Sequence, residues 1–264
     1  MKAEELIHNN KSFRGYIGIA ETIVTPPIGI YARSWGAAVH DQPEGKDGEL
    51  KAVAISFSNS RTATIPQIII SADFGIWRGA DVRDEIIQYL LKEFNVPTEN
   101  LLLCFTHTHA GPVLSNDEAG KPGAELIKPY LFFLKMQLRE LVQNCIANAT
   151  LAIVDWSYGK CSLATNRDFF IDGEERFLTG FNPAVEADDT LLVGKIYDEQ
   201  KNAIKGIIVN YACHPTTLAW QNKLLSADYV GAMRETVEKE LHCPVLFIQG
   251  ASENLLQNYN IQTA

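Results

Sequence analysis

No stretch of the 264-residue sequence approaches the roughly 20 consecutive apolar residues that a membrane-crossing helix requires. A transmembrane segment is therefore not expected. No cluster of lysine and arginine stands out, and the formal net charge is −9. Nucleic acid, which is gripped through basic patches, is excluded as an expected partner. The opening residues Met1-Lys2-Ala3-Glu4-Glu5-Leu6-Ile7-His8 carry acids and lack an apolar run, so they do not read as a signal peptide. Cysteine is scarce and scattered: Cys104, Cys145, Cys161, Cys213 and Cys243, odd in number, with no Cys-x-x-Cys pair. That excludes a disulfide framework and a cysteine-built zinc site, and leaves reduced core residues. Together these absences suggest a cytoplasmic chain as given, or a secreted one if an N-terminal leader was removed. Neither internal repeats nor low-complexity segments occur.

What is present is apolar content, 46% of residues, enough for one large domain or two small ones. Residues 1–14 are polar and read as a frayed end or a short helix. Alternation predicts strands over 16–20 and over Leu50 to Phe57, the latter followed by a Ser58-Asn59-Ser60-Arg61 turn and a β-branched strand at 67–73. A helix from about Val82 carries Val82, Ile86, Leu90 and Phe94 on one stripe, and Pro97 closes it. A second long helix begins at Pro129, with Leu131, Leu134, Leu138, Leu141, Val142 and Cys145 on one face. Strands follow from Leu151 toward Ala164, over Leu191 to Tyr197, and over Ala203 to Ala212. A helix after Asp228 and a final buried strand, Pro244 to Gln249, complete the order. Residues 172–190, with two acidic pairs, read as a solvated excursion. Strands and helices mix, with several hairpins, so the expected fold is α/β: mixed β-sheets with flanking helices in a single large domain.

The most informative stretch is Leu101-Leu102-Leu103-Cys104-Phe105-Thr106-His107-Thr108-His109-Ala110-Gly111-Pro112. Five apolar residues read as a buried strand that delivers two histidines. In an extended chain, positions i and i+2 face the same side. His107 and His109 therefore start a metal site, or pair a ligand with a proton-transfer group. The strand over 203–212 ends in the same way, in Cys213-His214-Pro215. One site between the two strand ends would hold three imidazoles. Thr165-Asn166-Arg167-Asp168, at another strand end, suits binding of a substrate oxygen through the guanidinium fork, or a surface salt bridge. Asp73, just past a strand, reads as a helix cap or as a partner for a histidine; Asp228 reads as a helix N-cap. The loop from Gly29 to Gly48, with Tyr31, Arg33, Trp35, His40 and Asp41, reads either as a pocket wall or as a surface loop anchored by its tryptophan.

Zinc takes neutral imidazole nitrogens, and structural zinc favours cysteine, so a catalytic metal is the better fit to this constellation. Such a metal makes a water-derived nucleophile available near neutral pH, for attack on an amide or ester carbonyl, with an imidazole or guanidinium holding the oxyanion. Metal-dependent lyases and oxygenases use similar ligands, so spacing alone leaves the reaction class open.

With those residues in hand, the sequence resembles the neutral/alkaline, non-lysosomal ceramidase family, including its smaller bacterial members. The matching pieces run in family order over about residues 16–252. They include Gly18-Ile19-Ala20-Glu21-Thr22-Ile23-Val24-Thr25-Pro26, Ser71-Ala72-Asp73, Thr106-His107-Thr108-His109-Ala110-Gly111-Pro112 and Asn166-Arg167. Cys213-His214-Pro215-Thr216, Ser226-Ala227-Asp228-Tyr229-Val230-Gly231 and Gln249-Gly250-Ala251-Ser252 complete the set. The resemblance implies a zinc-dependent hydrolase of N-acyl amide bonds, acting on a small-molecule or lipid-like amide. It implies that His107 and His214 bind Zn2+, and that His109 and Arg167 bind or polarise the scissile carbonyl. The family's remaining zinc ligands, a Glu and a Tyr, lie C-terminal of the matched region. The resemblance thus implies a domain over 1–264 that is incomplete at its C-terminus, or a site completed by Asp73, Asp228 or Glu253. The family's active-site serine falls on Leu255. Two other expectations stand beside this one: a non-catalytic relative that binds a lipid or glycan, and an unrelated amidohydrolase barrel, which would carry its His-x-His on the first strand.

Overall fold

Residues 12–61, 65–174, 176–201, 203–253 and 255–257 are described by the computed structural model. Its strands are β1 (Phe13–Ile23), β2 (Gly45–Asp47), β3 (Lys51–Ser58), β4 (Gln67–Ala72), β5 (Leu101–Phe105), β6 (Thr150–Lys160), β7 (Ala164–Asn166), β8 (Asp168–Ile171), β9 (Arg176–Thr179), β10 (Thr190–Asp198), β11 (Ala203–Tyr211), β12 (Leu224–Ser226), β13 (Val245–Gln249) and β14 (Leu255–Gln257). Its helices are α1 (Ala80–Phe94), α2 (Ile127–Ala147) and α3 (Asp228–Leu241). Residues 1–11, part of the predicted polar end, lie outside the described residues; Phe13 and Arg14 already belong to β1.

Eight strands form one sheet in the order β13-β11-β10-β6-β1-β3-β4-β5. The middle is antiparallel, while the two outermost pairs, β4 with β5 and β11 with β13, are parallel. Parallel neighbours cannot be joined by a tight turn and need a crossover; α1 supplies one and α3 the other. The chain is thus of the expected α/β class, in one domain. The sheet is open, which rules out the barrel alternative.

The period-two alternation of the strands builds two different faces. β3 sends Ala52 and Ala54 toward α1 and α2, where they meet Ile68, Ile70, Leu134 and Leu138. Its Val53 and Ile55 point the other way, into a cluster with Ile17, Ile19, Ile208 and Leu246. Each fully buried leucine or isoleucine contributes about 1.5–3 kcal/mol relative to exposure. Small residues on the helix side let α2 come close. At Gly18 a Cβ would lie 1.8 Å from the Cys145 carbonyl oxygen, so only glycine fits there. The cysteines are free, and Cys145, Cys213 and Cys243 are buried, as expected of core residues.

The sheet curls until β13 also approaches β3, β4 and β5. The Ser71 hydroxyl donates to the Phe247 carbonyl across that approach. The Val53–Ile55–Ile208–Leu246 cluster fills the fold of the sheet, with α1 and α2 outside one half and α3 packed on the other. Strand ends far apart in the sheet order, those of β5 and β11, are thereby brought together.

The sheet order corrects one expectation. β5 was expected to be a buried strand, but it lies at the sheet edge, and Leu102 is half exposed. The described part of 172–190 is largely solvent-facing as expected, and β9 within it pairs with the preceding β8 in a hairpin that exposes Phe169, Phe170 and Phe177.

Candidate metal centre

β5 ends at Phe105, and the chain then turns sharply rather than continuing as a strand. Thr106 N–H donates to the Ala72 carbonyl (3.0 Å) and His107 N–H to the Phe74 carbonyl (2.8 Å). His107 sits at φ +71°, in the left-handed region that a branched or bulky residue seldom adopts. The same-side placement of His107 and His109 therefore comes from this turn, not from extended geometry. Thr108 pins the turn from behind, its hydroxyl donating to the Ser226 carbonyl (2.7 Å) while accepting from Ala110 N–H (3.1 Å). His214 arrives from the end of β11. The loop beyond it is held by the buried Asp228 carboxylate, which accepts from Thr217 N–H (3.2 Å), Thr217 Oγ1 (2.5 Å) and Leu218 N–H (3.2 Å).

The three imidazoles meet. Ring centroids lie 4.5 Å apart for His107 and His214, 4.9 Å for His109 and His214, and 5.3 Å for His107 and His109. One nitrogen from each ring lies within 4.8 Å of the others. The Nε2 atoms of His109 and His214 are 2.9 Å apart. His107 Nδ1 is 3.0 Å from the Gly75 carbonyl, which can only accept; Nδ1 thus carries the proton and Nε2 offers its lone pair.

Electrostatics keep two of these rings neutral. Burial, then the charges of His107, Arg167 and Arg78, push His109 down to about 4. Burial, then Arg167 and the other two imidazoles, push His214 down to about 3, with the Ser252 backbone acting weakly the other way. Neutral imidazole is the form that binds a metal. Two tetrahedral ligand nitrogens at about 2.0–2.1 Å from zinc stand about 3.3 Å apart. One nitrogen from each of the three rings lies within 4.8 Å of the others, so a shared ion is within reach after a small relaxation, and imidazole donors suit a transition metal such as zinc, copper, iron or nickel. The Nδ1 atoms of His109 and His214 are buried without a well-formed hydrogen bond, so the third ring, His107, is the one whose orientation is fixed from outside.

The cluster floors a cleft of about 350 Å³ whose walls include Ser34, Ile76, Arg78, Arg167 and Glu253. Arg167 follows β7; its Nε–H donates to the Glu253 carbonyl (2.6 Å), and its Nη2 lies 3.6 Å from the Glu253 carboxylate. The same carboxylate is 3.7 Å from His107 Nε2. Trp35 stacks obliquely on His109 at 4.8 Å, with Trp220 edge-on to it at 6.3 Å. The Gly29–Gly48 loop is therefore a wall of the site as well as surface, tied down by the β2–β12 pairing.

The structure brings His107, His109, His214 and Arg167 together and sorts the three carboxylate candidates. Asp73 is fully buried and grips Arg234 of α3 through two hydrogen bonds, 2.7 and 2.9 Å, while accepting from Lys51 N–H (2.8 Å). Its oxygens are committed there, so it is neither a metal donor nor a helix cap. Asp228 braces the His214 loop, and α3 has no side-chain cap, contrary to the expected N-cap. Only Glu253 reaches the imidazoles. Leu255 is buried in the β14–β7 ladder opposite Asn166, a position with no access to the cleft. Arg78 was missed from the sequence. It lies in the link between β4 and α1, and its one visible signal was that this link leaves from the same end of the sheet as His107.

The elements of the site are therefore a mixed α/β fold with parallel pairs at its edges and a three-imidazole cluster at the ends of β5 and β11. No protein-family model matches the chain, and no curated protein matches it by sequence. Among solved structures it is similar to the neutral ceramidase from Pseudomonas aeruginosa, with a TM-score of 0.73 and 17% identity over 95% of this chain and 40% of that one. It is also similar to a ceramidase complexed with C2, with a TM-score of 0.69 and 17% identity over 96% of this chain and 39% of that one. The fold is that of these ceramidases, and the chain spans about 40% of their length.

Proposed function

We propose that this chain is the metal-binding part of a ceramidase-like hydrolase that cleaves N-acyl amide bonds in a lipid-like substrate. The observation that carries the reading is the convergence of three imidazoles from two distant strand ends, on a fold shared with ceramidases. His107 and His214 would hold zinc, and Glu253 is the internal carboxylate near enough to His107 to add a donor. When bound, such an ion supplies Lewis acidity and a nucleophile at neutral pH. The chain's own groups do the rest. The Gly75 carbonyl holds the His107 ring in one tautomer. Arg167, fixed through its Nε–H, keeps its terminal N–H groups for the oxygen of the scissile carbonyl, where charge develops. His109, kept neutral by burial, can donate to or accept from the same group, and Trp35 shields it from bulk water.

A specific observation favours a second reading, a binding protein without turnover: the position of the family serine is the buried Leu255. Counting bound metal on the purified chain and assaying a short fluorogenic N-acyl amide with and without zinc separates the two. One metal per chain with turnover is expected. Tightly held metal with no turnover would favour the binding protein, and no metal would end the hydrolase reading.

A further inference from the structure

Two arginines line the cleft, and their circumstances differ. Arg167 has a neighbouring carboxylate: its Nε–H donates to the Glu253 carbonyl, and the Glu253 carboxylate lies 3.6 Å from its Nη2. Arg78 has no carboxylate partner among the described residues. It makes a hydrogen bond from Nη2 to the Arg33 carbonyl (3.0 Å), and the nearby Arg33 is itself paired with Asp41 at 3.4 Å. A guanidinium carries five N–H donors in a rigid fork that matches a carboxylate. The fork of Arg78 thus stands in the cleft wall with donors to spare. Apart from the imidazoles, the charged side chains lining the cleft are these two arginines and Glu253, a balance that favours an anion. The backbone tie to Arg33 also holds the Arg78 side chain against the loop that carries Trp35, so its position is fixed relative to the imidazoles.

We infer that Arg78 reads a carboxylate on the amine side of the substrate, so that the amide the site takes is an N-acyl amino acid or a similar acidic amide. This deepens the proposed function and rests on it for the reaction, but not for the binding. Glu253 faces the same space, and its negative charge opposes the ligand. The anion is therefore held by Arg78 against a nearby carboxylate, and removing that carboxylate strengthens the grip.

The test uses the purified chain, with and without a chelator, titrated by calorimetry with N-hexanoylglycine, the uncharged N-hexanoylglycinamide, and hexanoate. The glycine compound should bind about tenfold more tightly than the amide, the scale of a charge-assisted hydrogen-bonded pair. Arg78→Ala should erase that preference, Arg78→Lys should retain part of it, and Glu253→Gln should increase it. A preference unchanged in Arg78→Ala, equal binding of the charged and uncharged compounds, or no binding of either would overturn the inference. Hexanoate binding as tightly as N-hexanoylglycine would assign Arg78 to the released acid instead and also overturn it. Selective, Arg78-dependent binding without any hydrolysis would leave this inference standing while removing the hydrolase reading.

Discussion

His109 and His214 are 105 positions apart in the chain, yet their Nε2 atoms lie 2.9 Å from one another. That contact depends on the curl of the sheet, because β5 and β11 sit six places apart in strand order. With both rings neutral, one donates to the other across that contact, so each fixes its neighbour's orientation beside His107.

Metal retention should divide the two histidines of the His-x-His turn. His107→Ala is expected to lose metal by elemental analysis, since it removes the one ring whose Nε2 is presented by an outside hydrogen bond. His109→Ala is expected to keep most of the metal and lose turnover by 10²-fold or more, the scale of a lost acid–base or oxyanion group. Equal loss of metal in both variants would make all three imidazoles ligands.

Acid should destabilise the metal-free protein. His109 and His214 have folded-state values of about 4 and about 3, below the 6.5 of an unfolded histidine. Between 6.5 and those values the unfolded chain binds protons that the folded chain refuses, so stability falls as pH drops through that window and is level above it. Thermal midpoints measured in chelator from pH 7.5 to pH 4.5 should decline. His214→Leu should flatten the decline, and an unchanged slope would mean the rings are not kept neutral.

The Asp73–Arg234 pair should be worth far more to folding than to chemistry. Both side chains are almost wholly buried, and Asp73→Ala leaves a guanidinium uncompensated. A loss of about 3–5 kcal/mol in denaturant unfolding is expected for breaking a buried pair from one side. Metal content of the fraction that folds should be unchanged. If metal is lost without loss of stability, Asp73 belongs to the site after all.

Much of this was legible in residue order. Alternation placed the central strands, and the apolar stripes placed the helices, including Leu134, Leu138, Leu141, Val142 and Cys145 of α2. The two strand-end histidine motifs located the centre, because buried runs that stop at His and Pro are local signals. What could not be read was anything set by distance across the fold. Asp73 looks like a cap or a ligand until Arg234 arrives from 161 residues away. Leu102 looks interior until the strand order puts β5 at the edge. Arg78 carries no motif of its own; the parallel pairing of β4 with β5 puts the link that bears it at the same end of the sheet as His109. Asp228 spreads its oxygens over Thr217, Leu218 and the Tyr229 N–H of the first turn, and its long-range partners cannot be read from the helix start alone.

The left-handed backbone at His107 has a consequence of its own. A glycine would sit in that corner without complaint, and an imidazole does not, so the fold and the ion ask for different residues at one place. His107→Gly would yield a tougher but emptied shell, with a hole the shape of the missing ring. Free imidazole diffusing into that hole could restore the lost nitrogen without restoring the torsional discomfort.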